Sequence, residues 1–319
     1  MNMKVVVQIP CLNEEQTLPL VLESMPKKIA GVDSLEILVI DDGSTDKTRA
    51  IAEQYGVKHF VVHPHRKGLA RSFHDGILKA LDMGADIIVN TDGDNQYPQE
   101  RIADLVQPII DNKADIVIAD RQVKKIKHFS PGKKLMQKVG TRVLNLAAGT
   151  DVPDAPSGFR AYSRDAAIQL NVVTRFSYAM ETIIQAGNKN LSIVSIPVKT
   201  NPKTRESRLF NSSWEHIRKS GIAITRAFIM YRPYVFFLTL GLLLLVAGLV
   251  PVGRFLYFFI FENSERSGHV QSLVLGSVLL VGAFISFAMG IIADLIRINR
   301  TLTEDLLEQV KHARFDKNK

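Results

Sequence analysis

The stretch "NTDGDNQYP", residues 90–98, places two carboxylates, Asp92 and Asp94, one residue apart just after the apolar run Ile87, Ile88 and Val89. Mg2+ and Mn2+ are hard cations that take carboxylate oxygens and complete their shells with substrate phosphate oxygens. The acid pair is therefore a candidate clamp for a cation carrying a diphosphate, with the Gln96 carboxamide as a further neutral oxygen. If the segment stays extended, positions 92, 94 and 96 point the same way, and Gly93 lets backbone and ligand approach closely. The plain alternative is an acid-rich solvated loop. Elsewhere, Asp41 and Asp42 in "DDGSTD" (41–46) could accept a hydrogen bond from a uracil imide or a ribose hydroxyl. The same letters are strong turn chemistry, and both readings hold together if Asp42 faces the ligand while Ser44 caps the next helix. In "HPHRKGLARSF" (63–73), Arg66 and Lys67 before a helix that starts after Gly68 suit a phosphate. His63 and His65 lack a third ligand nearby and read as surface residues rather than a zinc site. Cys11 is the single cysteine, which excludes an intrachain disulfide; it reads as a small buried residue rather than a nucleophile.

These residues need a scaffold, and the first half of the chain supplies a regular one. Short Val- and Ile-rich runs at 4–9, 35–41, 58–62, 87–91 and 116–120 alternate with helical patterns at 15–25, 45–55, 68–83 and 100–112. This alternation implies an α/β domain with a mostly parallel sheet. Ligand sites of such sheets lie beyond the carboxyl ends of the strands. "PCLNEE" (10–15), "DDGSTD" and "TDGDNQ" (91–96) all fall at those ends and should converge on one edge. Residues 121–200, with a helix at 135–148, the segment "PSGFRAYSRDA", a helix near 178–186 and a strand-like stretch at 192–200, read as the second half of the same domain.

The chain has 319 residues, 46% hydrophobic and 23% charged, with a net charge of +8. Its mean hydropathy is slightly positive at +0.06, which suggests a soluble part joined to a very apolar one. The basic balance suits an anionic membrane face or an anionic substrate. It does not favour nucleic acid, because the basic residues are not interleaved with aromatics. The start "MNMKVVVQIP" is a strand pattern, too short for a secretory apolar region. From residue 211, "SSWEHIRKSGIAITRAFIMY" sets Trp214, Ile217, Ile224, Phe228 and Tyr231 on one helical face and basic residues around the other, an interfacial pattern. Segments 234–252 and 270–293 are uncharged, and each approaches or exceeds the roughly 20 residues that cross a bilayer. Basic residues flank both outer ends, which places both termini in the cytosol. The expected plan is a catalytic domain over 1–210, an interfacial helix over 211–232, two transmembrane helices over 233–297 and a cytosolic tail over 298–319.

"IPCLNEEQTLPLVLESM", "VIDDGSTDKT", "GLARSFHDGI", "NTDGDNQYP" and "PSGFRAYSRDA", in that order, resemble family 2 glycosyltransferases of the GT-A fold. Within them the chain looks like the polyprenyl-phosphate glycosyltransferases, such as the dolichyl-phosphate mannose and glucose synthases. The resemblance implies metal-dependent, inverting transfer of a hexose from a UDP- or GDP-linked sugar to a lipid monophosphate at the cytosolic membrane face. It implies nucleoside binding by Pro10, Asn13, Glu14 and Asp42. It assigns Mg2+ or Mn2+ and the diphosphate to Asp92, Asp94 and Gln96, the acceptor phosphate to Arg160 with Arg142 as a second ligand, and a closing basic loop to Arg205 and Ser207.

Two other readings compete. A processive polysaccharide synthase shares the nucleotide site but needs a Gln-x-x-Arg-Trp motif, which "SSWEHIRK" does not match, and more helices than two. A non-catalytic membrane-anchored scaffold would not need both acids and the basic loop. The partners expected are a nucleotide sugar, a polyprenyl phosphate and the bilayer, with a homo-oligomer left open.

Overall fold

The computed structural model describes residues 3–122, 131–172, 178–202, 229, 232–261 and 270–315, and the side chains of helix Pro131–Ala148 from Gln137 onward. In chain order the elements are β1 (Lys4–Cys11), α1 (Leu18–Glu23), β2 (Ser34–Asp41), α2 (Thr48–Gln54), β3 (His59–Val62), α3 (Leu69–Asp82), β4 (Ile87–Asn90), α4 (Ile102–Ile110), β5 (Ile116–Asp120), α5 (Pro131–Ala148), β6 (Arg160–Ser163), α6 (Arg164–Gln169), α7 (Tyr178–Asn188) and β7 (Ile193–Pro197). Two long helices follow, α8 (Pro233–Phe261) and α9 (Val270–Phe315).

The strands form one seven-stranded sheet in the order β3-β2-β1-β4-β6-β5-β7. β1 pairs in parallel with β2 and β4, β2 with β3, and β5 with β7. β6 runs antiparallel to β4 and β5, so the sheet is mixed but mostly parallel, as the alternation predicts. β1 reads as a continuous apolar run because both sheet faces are covered. Val5, Val7 and Ile9 join the core under α1 and α4, with Leu18, Val21, Leu105 and Ile109. On the opposite face α3 crosses β1 and β2 at Gly76. A Cβ there would run into Gln8 Oε1 and lie 2.9 Å from Ile40 Cδ1, so any larger residue would have to displace both side chains.

The first three strands step outward one way from β1, and β4 lies on its other side. The loops after β1 and β4 therefore diverge at a topological switch point, the place where open α/β sheets form a crevice. Cys11–Asn13 and Asp92–Asp94 stand on either side of that point.

The chain divides into two compact units, one holding residues up to 224 together with 306–319, the other residues 225–305. In the second unit, α8 has 29 residues and a peak mean hydropathy of 2.6, and α9 has 46 residues and 2.3. Both are long and apolar enough to cross a membrane, and most of their large side chains are exposed, Phe284 by 73%. Such surface is unfavourable in water and suggests membrane anchoring. Helix α8 continues past the uncharged segment 234–252 through "FLYFFIF" to Phe261. It meets α9 at glycines: Cβ atoms at Gly241 and Gly248 would approach the Phe287 ring and the Gly276 carbonyl, and Ser286 Oγ donates to Phe237 O at 2.8 Å.

The boundary expected at 297/298 falls inside α9, which runs unbroken to Phe315. Its last turns pack within the first unit. The buried Lys311 Nζ donates to Ile168 O and Leu170 O at the carboxyl end of α6, the usual place for a cation on a helix. Arg164 donates to Phe315 O at 2.8 Å, and Lys189 pairs with Glu308 at 2.6 Å. The expected interfacial helix at 211–232 lies almost wholly outside the described residues.

Candidate active site

The three strand-end clusters meet. After β1 the chain turns through Asn13, which holds φ at 55°. Asn13 N donates to Ser44 Oγ at 3.0 Å, and Asn13 Oδ1 accepts from Thr45 N at 2.8 Å. Glu14 N donates to Thr48 Oγ1, and Glu15 N to Asp46 Oδ2. These bonds lace the 10–15 segment to the 41–48 segment. They also reassign Ser44, which serves Asn13 rather than capping α2. The amide of Thr48 instead donates to Asp46 Oδ1 at 2.9 Å. Burial raises the Asp46 carboxyl, but the Thr48 hydroxyl, the Thr48 amide and the Glu15 amide outweigh it and hold it below the usual range.

The acid loop closes on the same place. A Cβ at Gly93 would stand 3.0 Å from Cys11 Sγ, 3.3 Å from Glu14 Cγ and 3.4 Å from Pro10 O, so Pro10, Glu14, Asp92 and Asp94 share one edge of the sheet. The segment is not extended as expected. Asp94 Oδ1 accepts from Gln96 N at 3.1 Å, and Asn95 takes φ 56°, so the chain turns between Asp94 and Gln96. The strand alternation that would align 92, 94 and 96 is broken. Asn201, beyond β7, braces this turn: its amide donates to Gln96 O at 2.9 Å and its Nδ2 to Asn95 O at 3.1 Å. Cys11 is 2% exposed. Burial first, then Glu14, Asp41, Asp46 and Asp92, push its thiol well up, so it is a core residue and not a thiolate nucleophile.

Asp42 is 5% exposed and already has partners. Its Oδ1 accepts from Lys67 N and its Oδ2 from Gly68 N, both at 2.8 Å. Asp42 thus takes the two amides just ahead of α3, those of Lys67 and the N-cap residue Gly68. His63 was expected at the surface; it is 3% exposed and sits between two acids, 2.8 Å from Asp42 Oδ1 and 3.1 Å from Asp75 Oδ2. Among the described residues Asp42 anchors the 63–68 loop, whatever else it touches.

Arg160 needs the largest correction. Its guanidinium was expected to meet an acceptor phosphate, but the residue is fully buried at 0% exposure. Nε donates to Ser157 O at 2.7 Å, Nη2 to Ala155 O at 2.6 Å, and Nη1 to Ala179 O and Thr182 Oγ1 at 2.9 Å. Four of its five donors are spent on one cage, so it braces the 155–160 turn against α7. Arg142 is exposed on α5. Arg205 and Ser207 lie outside the described residues.

Several residues that periodicity did not single out frame Asp92. Arg121 makes a two-pronged pair with the buried Asp154, at 2.7 Å from Nε to Oδ2 and 2.9 Å from Nη2 to Oδ1. Burial opposes the Arg121 charge, but Tyr97, Asp154 and Asp92 outweigh it and keep the guanidinium charged. Tyr97 OH accepts from Gly158 N at 3.0 Å. Asn90, at the end of β4, donates to Gly158 O at 2.8 Å and to Tyr178 OH at 3.0 Å. The one signal available in the sequence was a polar Asn closing the apolar run "IIVN".

Among the described residues, no three His, Cys, Asp or Glu side chains group as a ready-made metal cage. Two carboxylates on one loop, Asp92 and Asp94, are of the chemistry that a hard cation sharing its shell with phosphate oxygens would take. The Asp92 oxygens rest in a cradle over Gly158 that a Cβ would fill.

Residues 6–170, just over half of the chain, match the sequence profile of Glycosyl transferase family 2. The chain is 30% identical over 215 residues to a UDP-N-acetylglucosamine–dolichyl-phosphate N-acetylglucosaminyltransferase of Methanococcus voltae, covering 60% of this chain and 83% of that one. It is 28% identical over 206 residues to an undecaprenyl-phosphate mannosyltransferase of Micrococcus luteus, covering 61% and 83%. In structure it resembles glucosyl-3-phosphoglycerate synthase of Mycobacterium tuberculosis, solved with Mn2+, UDP and glucosyl-3-phosphoglycerate. The TM-score is 0.55 at 20% identity, over 71% of this chain and 79% of that one. The fold is accordingly GT-A-like, and the chain belongs to glycosyl transferase family 2 and is a glycosyltransferase.

Proposed function

We propose that the protein transfers a hexose from a nucleotide sugar to a polyprenyl phosphate, with inversion at the anomeric carbon, at the cytosolic face of a membrane. The observation that carries this reading is the acid loop seated at the β1/β4 switch point, against Pro10 and Glu14 on one side and Gly158 on the other. The relatives named for transfer to dolichyl and undecaprenyl phosphates support the acceptor class. The two long apolar helices support a site beside a bilayer.

The chemistry follows from the charges. An acceptor phosphate oxygen is already anionic at neutral pH, so no strong general base is required. That oxygen attacks the anomeric carbon from the face opposite the diphosphate. The new C–O bond forms as the bond to the diphosphate breaks, and its electron pair leaves with the nucleoside diphosphate. A bound Mg2+ or Mn2+ would neutralise charge on the leaving diphosphate. Asp92 and Asp94 would hold it, with Gln96 auxiliary. Pro10, Asn13, Glu14 and Asp42 would line the nucleoside edge. Exposed Arg142 is a candidate for the acceptor phosphate, and Arg205 and Ser207 for the closing loop. The basic flanks of the apolar segments support a cytosolic position for both chain termini.

The test incubates full-length protein in detergent with Mg2+ or Mn2+, a polyprenyl phosphate and a panel of radiolabelled UDP- and GDP-sugars. Metal-dependent label in the lipid fraction is expected from at least one donor, and it is abolished in Asp92→Ala. No transfer to lipid from any donor refutes the proposal.

A further inference from the structure

Gly158 sits at the centre of a small buried network that touches the acid loop from below. Its amide donates to Tyr97 OH at 3.0 Å. Its carbonyl accepts from Asn90 Nδ2 at 2.8 Å and, more weakly, from Tyr178 OH at 3.4 Å. Asn90 is itself fixed, its Oδ1 accepting from Gln8 Nε2 at 2.9 Å. Tyr97, Tyr178 and Asn90 are each 2% exposed or less. The tyrosine rings are held in turn, Tyr178 stacked on Phe73 with centroids 4.1 Å apart and Tyr97 on Phe159 at 5.1 Å. Both backbone polar groups of one glycine are thereby gripped by side chains with no freedom of their own.

The reason for a glycine is on its open side. A Cβ at 158 would lie 2.8 Å from Tyr178 OH and 3.1 and 3.2 Å from the two oxygens of Asp92. The φ of Gly158 is not in the left-handed region, so the backbone itself does not demand glycine here. Space for the tyrosine hydroxyl and the carboxylate does.

We propose that Gly158, clamped by Tyr97, Asn90 and Tyr178, is the seat that fixes where the Asp92 carboxylate lies, and that Tyr178 is a positioning residue for that carboxylate. The inference rests on the reading of Asp92 as a ligand of the cation that carries the donor diphosphate. Groups outside the ligand shell that orient ligating carboxylates typically cost 10–100-fold in metal affinity when lost; Gly158 orients by packing against the Asp92 oxygens rather than by a hydrogen bond to them. Tyr178 acts through Gly158 and Asn90 and need not touch substrate.

The test measures Mn2+ binding to full-length protein in detergent by the EPR signal of free Mn2+, with UDP or GDP present, alongside melting temperature. Tyr178→Phe keeps the ring stacked on Phe73 and removes only the hydroxyl. It should weaken Mn2+ binding at least about tenfold while lowering the melt by only a few degrees, because one Asn90 Nδ2–H loses its acceptor. Gly158→Ala should weaken it further. In Gly158→Ala/Tyr178→Phe the clash with the hydroxyl is relieved but the contact with Asp92 stays, so melting should recover and Mn2+ affinity should not. Asp92→Ala separates the two claims. If it loses Mn2+ binding while Tyr178→Phe and Gly158→Ala bind like wild type, the seat is refuted and the metal site stands. If Asp92→Ala itself binds Mn2+ like wild type, the metal reading fails and takes the seat with it. Should Gly158→Ala not fold, Tyr178→Phe alone decides.

Discussion

Arg160 offers the sharpest separation between a ligand and a brace. In Arg160→Met the side chain keeps most of its apolar stem and loses its whole donor fork. Thr182 Oγ1 retains its bond to Tyr178 O, and Ala179 O retains a contact from Thr182 Oγ1. Ser157 O and Ala155 O, each bonded to the guanidinium at 2.7 Å or less, are stranded in a buried turn. An orphaned buried acceptor costs about 1–3 kcal/mol, so two give roughly 2–6 kcal/mol, with a central value near 4. For a domain of about 200 residues each kcal/mol moves the melting temperature by roughly 2–4 °C. Circular dichroism melts in detergent should therefore fall by about 10 °C. Arg160→Lys keeps a charge but not the fork, and should fall by about half as much. Polyprenyl-phosphate KM should change little in whatever fraction remains folded. A variant that melts with wild type and raises the acceptor KM would refute the brace and restore Arg160 as a phosphate ligand.

Two further outcomes follow from buried groups. Burial first, then Asp92 and Asp154, push the Tyr97 phenol up to about 12, against opposing pulls from Arg121 and the Gly158 amide. Exposed on unfolding, it ionises near 10. Below pH 10 both states keep the proton; between 10 and 12 the unfolded chain releases it first, and the folded state loses about 3 kcal/mol. The stability gap between wild type and Tyr97→Phe, measured by urea unfolding, should narrow over that window; a constant gap refutes the assignment. Removing residues 306–319 strips Arg164 of its bond to Phe315 O and leaves the Ile168 and Leu170 carbonyls without Lys311. It should destabilise the catalytic unit by about 2–4 kcal/mol, and an unchanged melt would show that the tail is dispensable.

The fold was legible where burial imposes a period. β1 to β5 each lie within a residue or two of the Val- and Ile-rich runs; for β1, β4 and β5 this is because a strand covered on both faces must be largely apolar. β6 was not legible. "RAYS" is four residues long, opens on a charged residue and runs against its neighbours, so nothing in its composition separates it from a loop. The helix-cap reading at Ser44 failed for a related reason. A hydroxyl before a helix can serve any nearby amide, and Asn13 N, 31 positions away in sequence, took it.

The site divides in the same way. That three polar clusters converge followed from strand ends alone, since a parallel sheet delivers every second loop to one edge. What each polar side chain does there did not follow. Asp42 and Arg160 both stood in motifs whose resemblance assigns them to ligand, and both bond to protein: Asp42 to Lys67 N, Gly68 N and the His63 ring, Arg160 to the 155–160 turn and to α7. A charged residue in a motif can serve a ligand or the loop that shapes its pocket, and the hydrogen-bond partners distinguish the two. Asp92 stands where space is kept for it: its oxygens approach a glycine whose missing Cβ leaves them room. A second acid, Asp94, follows on the same loop. Two carboxylates on one loop at the switch point suit a hard cation that shares its shell with phosphate oxygens, whereas Asp42, bonded to two loop amides, holds the loop.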